Sequence, residues 1–243
     1  MGRSDVDAIW SIDDEGTLVV RAPEGASGAV LRMVERVDED GRTITVAPWD
    51  ERCEEIRAAR IERGVRAEGS IENLFSGCNN LRTADVGALD TAAVTNMNTV
   101  FYTCSFEEID LSGWDVSSVV SMDSMFESCE ELKRVDLAGW NTSSVRNFSW
   151  LFSYCLELEE LDLSHLDTSA ATAMAGMFHG CTRLRRVGAA GWDTSRVEDF
   201  SWMFANCERL EEVRGIERWA ISRTADTESM FHGCDPALAR SLH

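Results

Sequence analysis

No apolar run in the 243-residue chain approaches the roughly 18 residues that a membrane-spanning helix needs, so no segment is expected to enter a bilayer. Basic residues are scarce. Lys and Arg number 23 against 43 Asp and Glu, a formal net charge of −20, which excludes the basic footprint of a nucleic-acid binder. That balance fits a self-repelling soluble surface, or one that recruits a basic partner. The opening residues, Met-Gly-Arg-Ser-Asp-Val-Asp, hold no apolar core of an export signal. The chain therefore reads either as intracellular or as a protein whose leader has been removed.

The sequence also lacks a Cys-x-x-Cys pair for zinc and an Asp-rich calcium loop. It has no Gly-rich phosphate loop, no Gly-x-Ser-x-Gly and no paired carboxylates in distinct settings. No metal, no cofactor and no catalytic residue is expected. A Cys–His nucleophile would need one activated thiol in a polar pocket.

What the chain has is repetition. Phe-x-x-Cys occurs seven times, from Phe75/Cys78 to Phe231/Cys234, with Cys spacings of 26, 25, 26, 26, 26 and 27; Cys53 precedes them by 25. A fixed period in this range means stacked coils, none of which can bury its apolar face alone. The eight cysteines then form one vertical file. Parallel neighbours lie about 4.8 Å apart, too far for an unstrained disulfide, so buried free thiols are expected ahead of bridges or a metal.

Within a coil, Leu132/Val135/Leu137 and Leu158/Leu161/Leu163 read as a short strand. Val119, Met122, Met125 and Phe126 then fall at helical spacing, with Asp115 and Ser117 as N-caps. The expected fold is an α/β solenoid: a right-handed stack of about seven leucine-rich-repeat-type coils with one parallel sheet and short helices on the opposite face. Residues 49–243 would form it. Residues 1–48 lie outside the repeat and would form a β cap, from a hairpin around Asp13-Asp14-Glu15-Gly16 and a second joining Val30–Val37 to Thr43–Val46. At the far end, Ala237 to Leu242 reads as a minimal lid, unless the array continues. Cys104-Ser105-Phe106 is one residue short of its siblings and Gly215 to Trp219 is one residue long.

Charge supports the register. Glu107-Glu108, Lys133-Arg134, Glu159-Glu160, Arg185-Arg186 and Glu211-Glu212 occupy one position and alternate in sign from coil to coil. In an in-register parallel stack they are lateral neighbours, and opposite charges attract there.

Three constellations stand out. Asp85, Asp110, Asp136 and Asp162 share one column on the exposed strand face, closed by Gly188 and Arg214. They read as caps on turn amides or partners of the basic rungs, with a partner contact or calcium as alternatives. Trp114, Trp140, Trp192 and Trp219 share a turn position, with Leu166 in the gap, and read as packing. Trp150 and Trp202 stand two coils apart where other coils carry Thr99, Ser124, Gly176 and Ser229. They are either anchors for a partner or local packing over Gly176. His165, His179, His232 and His243 show no repeating ligand spacing.

The segments Leu161-Asp162-Leu163-Ser164-His165-Leu166-Asp167-Thr168-Ser169 and Val119-Val120-Ser121-Met122-Asp123-Ser124-Met125-Phe126, with Phe-x-x-Cys, resemble the 26-residue repeat of the BspA-like leucine-rich-repeat surface proteins of bacteria. Trp10-Ser11-Ile12-Asp13, Gly16-Thr17-Leu18 and Pro48-Trp49 are similar to the segment before such repeats. The resemblance implies a cell-surface or secreted protein with a solenoid fold and a role in adhesion or protein binding, with no catalytic residues. The expected function is a monomeric, non-catalytic protein-binding module whose partner is a protein, with surface proteins of a host or a neighbouring cell as candidates. A structural spacer within a longer surface protein is the alternative, and a calcium-dependent adhesive protein would melt in a calcium-dependent way.

Overall fold

Each Phe-x-x-Cys element stacks on the one before it, and the stacking organises everything else. The computed structural model describes residues 6–240. Phe75, Phe101, Phe126, Phe152, Phe178, Phe204 and Phe231 form a continuous file, with ring centroids 5.2–5.9 Å apart and planes within 12° of parallel. Trp49 extends it at the N-terminal end, 5.7 Å from Phe75. Beside it runs the cysteine file. All eight are free thiols, and six of them donate to the Phe carbonyl of the preceding coil, as Cys129 does to Phe101 at 3.0 Å and Cys181 to Phe152 at 3.0 Å. Burial pushes Cys181 up to about 12 and Cys234 to about 11, so neither carries the thiolate that nucleophilic or redox chemistry requires at neutral pH.

The strands run in chain order as β1 (Ile9–Ile12), β2 (Thr17–Arg21), β3 (Ala29–Leu31), β4 (Val34–Val37), β5 (Thr43–Val46), β6 (Ala58–Ile61), β7 (Val65–Ser70), β8 (Thr83–Asp85), β9 (Asp90–Asn96), β10 (Glu108–Asp110), β11 (Arg134–Asp136), β12 (Glu160–Asp162), β13 (Arg186–Gly188) and β14 (Glu212–Arg214). β1 and β2 form the hairpin around Asp13, whose carboxylate accepts the Glu15 and Thr17 amides. The second hairpin is shorter than the sequence suggested. Only β4 pairs with β5, because β3 leaves to lie parallel to β7, while β2 lies parallel to β6.

Two expectations about the coils need correction. The single parallel sheet is interrupted into β2-β6-β8, with β1 antiparallel on its edge, β10-β11 and β12-β13-β14, and a separate parallel sheet β3-β7-β9 stands beside these. The break between β8 and β10 coincides with the one-residue deletion at Cys104-Ser105-Phe106.

The short helices on the opposite face do not form. Among the described residues the one α-helix is α1 (Pro236–Ala239), beside two short 3-10 turns, Asp50–Glu55 and Ile216–Arg218. Where helices were expected the chain makes successive turns whose amides alternate between two partners. Met122, Ser124, Phe126 and Ser128 donate to Asn147, Ser149, Leu151 and Ser153 of the next coil at 2.8–3.0 Å, while Met125, Glu127 and Cys129 donate three residues back. Ser124 and Ser128 sit at φ 55° and 59°, which a right-handed helix cannot contain. The apolar spacing nonetheless marks the buried positions, since Val119, Met122, Met125 and Phe126 are all fully buried. Asp115 caps a turn, accepting the Ser117 amide at 2.9 Å. A second file of parallel bridges runs Asn96, Ser121, Asn147, Ala173, Asp199, Asp226 along the flank.

The charge alternation is realised in the register. Glu108 faces Arg134, Glu160 faces Arg186, and Arg186 faces Glu212. Lys133 reaches Glu107 at 2.8 Å and Arg185 reaches Glu211 at 2.9 Å; Arg134–Glu108 and Arg186–Glu160 also pair. Exposed pairs contribute about 0–1 kcal/mol each. Arg186→Glu replaces attraction by repulsion on both sides, so a loss of about 1–2 kcal/mol is expected in urea melts at low salt. Molar salt should shrink that loss; an unchanged midpoint would remove the register argument.

Candidate functional site

The turns that replace the helices contain two left-handed positions per coil. The first is held by Asn73, Thr99, Ser124, Trp150, Gly176, Trp202 and Ser229, at φ 54–61°. The second is held by Gly77, Thr103, Ser128, Tyr154, Gly180, Asn206 and Gly233, at φ 55–78°. Small and short polar residues suit this backbone, and a bulky side chain there costs roughly 1–2 kcal/mol. Three aromatics occupy it all the same, and all three meet at one residue.

That residue is His179. Its ring lies 5.7 Å from Trp150, 5.1 Å from Tyr154 and 5.9 Å from Trp202, edge-on to each at 76–85°. The Tyr154 hydroxyl and His179 Nε2 are 3.0 Å apart, while Nδ1 is buried without a hydrogen-bond partner. Burial lowers the His179 pKa, holding the imidazole neutral at pH 7. The space comes from two glycines. A Cβ on Gly176 would lie 2.3 Å from the Trp150 ring, and one on Gly180 would lie 2.7 Å from the Tyr154 ring. Both readings of Trp150 are therefore compatible with the geometry, since it packs over Gly176 and borders an open patch. Trp202 and Tyr154 stay 37% and 42% exposed, among the few large hydrophobic side chains left in water. His232 adds a ring 6.3 Å from Trp202.

Tyr154 and His179 went unassigned in the sequence because nothing there shows that consecutive turn residues of neighbouring coils point at each other. The available signal was Tyr154 itself, an aromatic in a column otherwise made of Gly, Ser, Thr and Asn.

The aspartate column is built as an exposed edge. Asp110 accepts the Ser112 amide at 2.9 Å and its hydroxyl at 2.7 Å, and these bonds hold its pKa low. Asp136 accepts the Ala138 amide at 2.9 Å and Asp162 the Ser164 amide at 3.0 Å. Asp85 faces Arg60 across β6 and β8, and Gly188 faces Asp162. Asp110, Asp136 and Asp162 line an open recess of about 580 Å³ on the sheet face, together with Lys133 and Arg134. Among the described residues no group of three or more His, Cys, Asp or Glu side chains is arranged to hold a metal ion.

The tryptophan column is buried wall at Trp114, Trp140 and Trp192, while Trp219 at its end is half-buried with its indole N–H unpartnered among the described residues. Trp114, Trp140 and Trp192 each donate an indole N–H to a carbonyl of the previous coil, Val86, Leu111 and Leu163, at 2.9–3.0 Å. In the coil where Leu166 replaces Trp, His165 Nε2 meets the equivalent carbonyl, Leu137, at 3.1 Å, which gives that histidine a structural role. His243 lies outside the described residues.

Among the described residues no helix is long and apolar enough to cross a membrane. No curated protein matches the chain. Among solved structures it is similar to a leucine-rich-repeat protein of T. pallidum, at 19% identity over 84% of this chain and 87% of that one, with a TM-score of 0.43. It is also similar to a leucine-rich-repeat protein of Eubacterium ventriosum, at 12% identity, 94% and 93% coverage and a TM-score of 0.27. A leucine-rich cell-surface protein of Faecalibacterium prausnitzii matches at 9% identity, 92% and 96% coverage and a TM-score of 0.24. A family model described as a Mycoplasma protein of unknown function, DUF285, matches residues 69–186 and 147–237. With most of its length matched, this chain belongs to the DUF285 family.

Proposed function

We propose that the chain is a non-catalytic protein-binding module of a bacterial surface or secreted protein, acting in adhesion, and that Trp150 and Trp202 anchor its partner, with Tyr154 and His179 completing the patch. The observation that carries this reading is the placement of three aromatics at left-handed backbone positions around a single histidine. Packing alone does not require them, because Thr99, Ser124 and Ser229 fill the same position in other coils. Every coil carries the left-handed backbone, but bulky rings occupy it at one place, and an exposed indole and phenol kept there at a cost are the signature of a site whose side chains serve something outside the fold. The four aspartates take a supporting role, since three of them are committed to their own turns.

The test compares capture of purified host and bacterial surface proteins by the wild type and by Trp150→Gly/Trp202→Gly. Glycine suits because Gly176 already fills this position between the two indoles and relieves the left-handed strain. Two anchors at about 2 kcal/mol each correspond to a loss of affinity of roughly three orders of magnitude. Equal capture by both proteins removes the anchor and favours the spacer.

A further inference from the structure

We infer that a groove on the flank of the stack, between Arg146 and Arg196, is a binding site for an anionic ligand gripped through carboxylate, phosphate or sulfate oxygens. It is independent of the aromatic patch and lies on a different part of the coil.

The groove has a volume of about 500 Å³, and Arg146, Thr172, Ser195, Arg196, Ser222 and Thr224 line it. Its origin is legible in the repeat. Arg196 follows the Thr-Ser pair of its coil, where the preceding coils carry Ser118, Ser144 and Ala170. Arg146 stands two residues further along its own coil, in the column that continues to Thr172 and Glu198. The coil between the two arginines therefore presents only Ala170 and Thr172, and the small side chains leave the recess that the flanking guanidinium groups border.

Among the described residues neither guanidinium group has an ion-pair partner, which sets both apart from the arginines of the sheet face. Acids outnumber bases by 43 to 23, and Arg183, Arg185 and Arg186 each hold at least one glutamate. Neither Arg146 nor Arg196 forms an ion pair or side-chain hydrogen bond with any described residue. Asp193 senses the charge of Arg196, but its carboxylate is occupied by the Ser195 amide at 2.9 Å. Arg196 also stands in column with Arg223 of the next coil, so like charges stack where the sheet face alternates its signs. One carboxylate, Glu198, lies on the wall, leaving two guanidinium groups against one acid in a molecule of charge −20. Guanidinium groups grip carboxylate and phosphate oxygens as forks of two parallel hydrogen bonds. The Ser195 hydroxyl is turned toward the Asp193 carboxylate and the Ser222 and Thr224 hydroxyls share a bond at 2.9 Å, so the two guanidinium groups are the donors that the groove offers.

The probes are inorganic phosphate, inorganic sulfate and citrate, titrated separately into the full chain at low ionic strength while backbone amide resonances are followed. At least one should shift the Thr172, Ser195 and Ser222 signals saturably, and which one does so separates a carboxylate from a tetrahedral oxyanion. Arg146→Ala and Arg196→Ala should each weaken that probe roughly ten-fold. Arg209→Ala, which alters a different recess, should leave it unchanged. Added sodium chloride should weaken binding further. Shifts that fail to saturate with all three probes, or an equal loss in Arg209→Ala, would overturn the assignment.

Discussion

Replacing Phe152 by Ala is expected to destabilise the stack by about 3–5 kcal/mol, and to break its unfolding into two transitions. The ring is fully buried, 5.2 Å from Phe126 on one side and 5.9 Å from Phe178 on the other, with planes 1° and 10° from parallel. Deletion removes the transfer free energy of the side chain and leaves a cavity between coils whose spacing is fixed by backbone hydrogen bonds. The Phe152 amide donates to Met177 and its carbonyl accepts the Cys181 thiol, so the surrounding coils have little freedom to close in. In an array where each coil touches only its neighbours, a defect at the middle weakens the coupling between halves. Phe231→Ala provides the comparison. That ring contacts one neighbour, Phe204 at 5.4 Å, and is only partly buried, so its loss should be well under half as large. Urea melts followed by tryptophan fluorescence would test the pair. Equal losses at the two positions would mean that the aromatic file is not the continuous element that holds the coils together.

The period, the thiol file and the charge register were legible because each is a property of columns, and columns are visible in one sequence once the repeat length is known. The aspartate caps were legible for a local reason: a carboxylate two residues before an amide makes the same turn wherever it occurs. The opposite face reads as helix in the sequence because burial at i, i+3, i+6 and i+7 is satisfied equally by a helix and by a ladder of turns. The distinguishing signal was the recurrence of Gly, Asn, Ser and Thr at the positions of Ser124 and Ser128, residues that tolerate left-handed backbone. The candidate site was half legible. Trp150 and Trp202 were conspicuous in their column, but the way Gly176 and Gly180 admit Trp150 and Tyr154 against His179 depends on contacts between columns. The arginine groove escaped for the same reason: Arg146 and Arg196 sit at different positions of coils two apart, and only the small residues between them bring the two into one recess.

Gly215→Ala should cost about 3 kcal/mol, a large effect for a single methyl group. Residue 215 begins the coil that is one residue longer than its siblings, and its φ of 90° turns the chain into the 3-10 segment Ile216–Arg218. That turn absorbs the extra residue and returns Trp219 to the stack, 5.7 Å from Trp192 with planes 12° apart. A Cβ at this position would lie 2.4 Å from Ala190 Cα, 3.0 Å from its nitrogen and 3.1 Å from the Ala189 carbonyl oxygen. None of these is a side-chain end that can swing aside. Ala189 is fixed by the hydrogen bond its amide donates to the Arg214 carbonyl and by the one its own carbonyl accepts from the Trp192 amide. The cost therefore combines roughly 1–2 kcal/mol for a left-handed alanine with roughly 1–3 kcal/mol for overpacking. Gly25→Ala separates the two, because Gly25 has φ 79° and open space where its Cβ would be, so only the backbone part should appear. If both variants lose the same stability in urea melts, the close approach of Gly215 to the preceding coil contributes nothing, and the extra residue is accommodated by some route other than this turn.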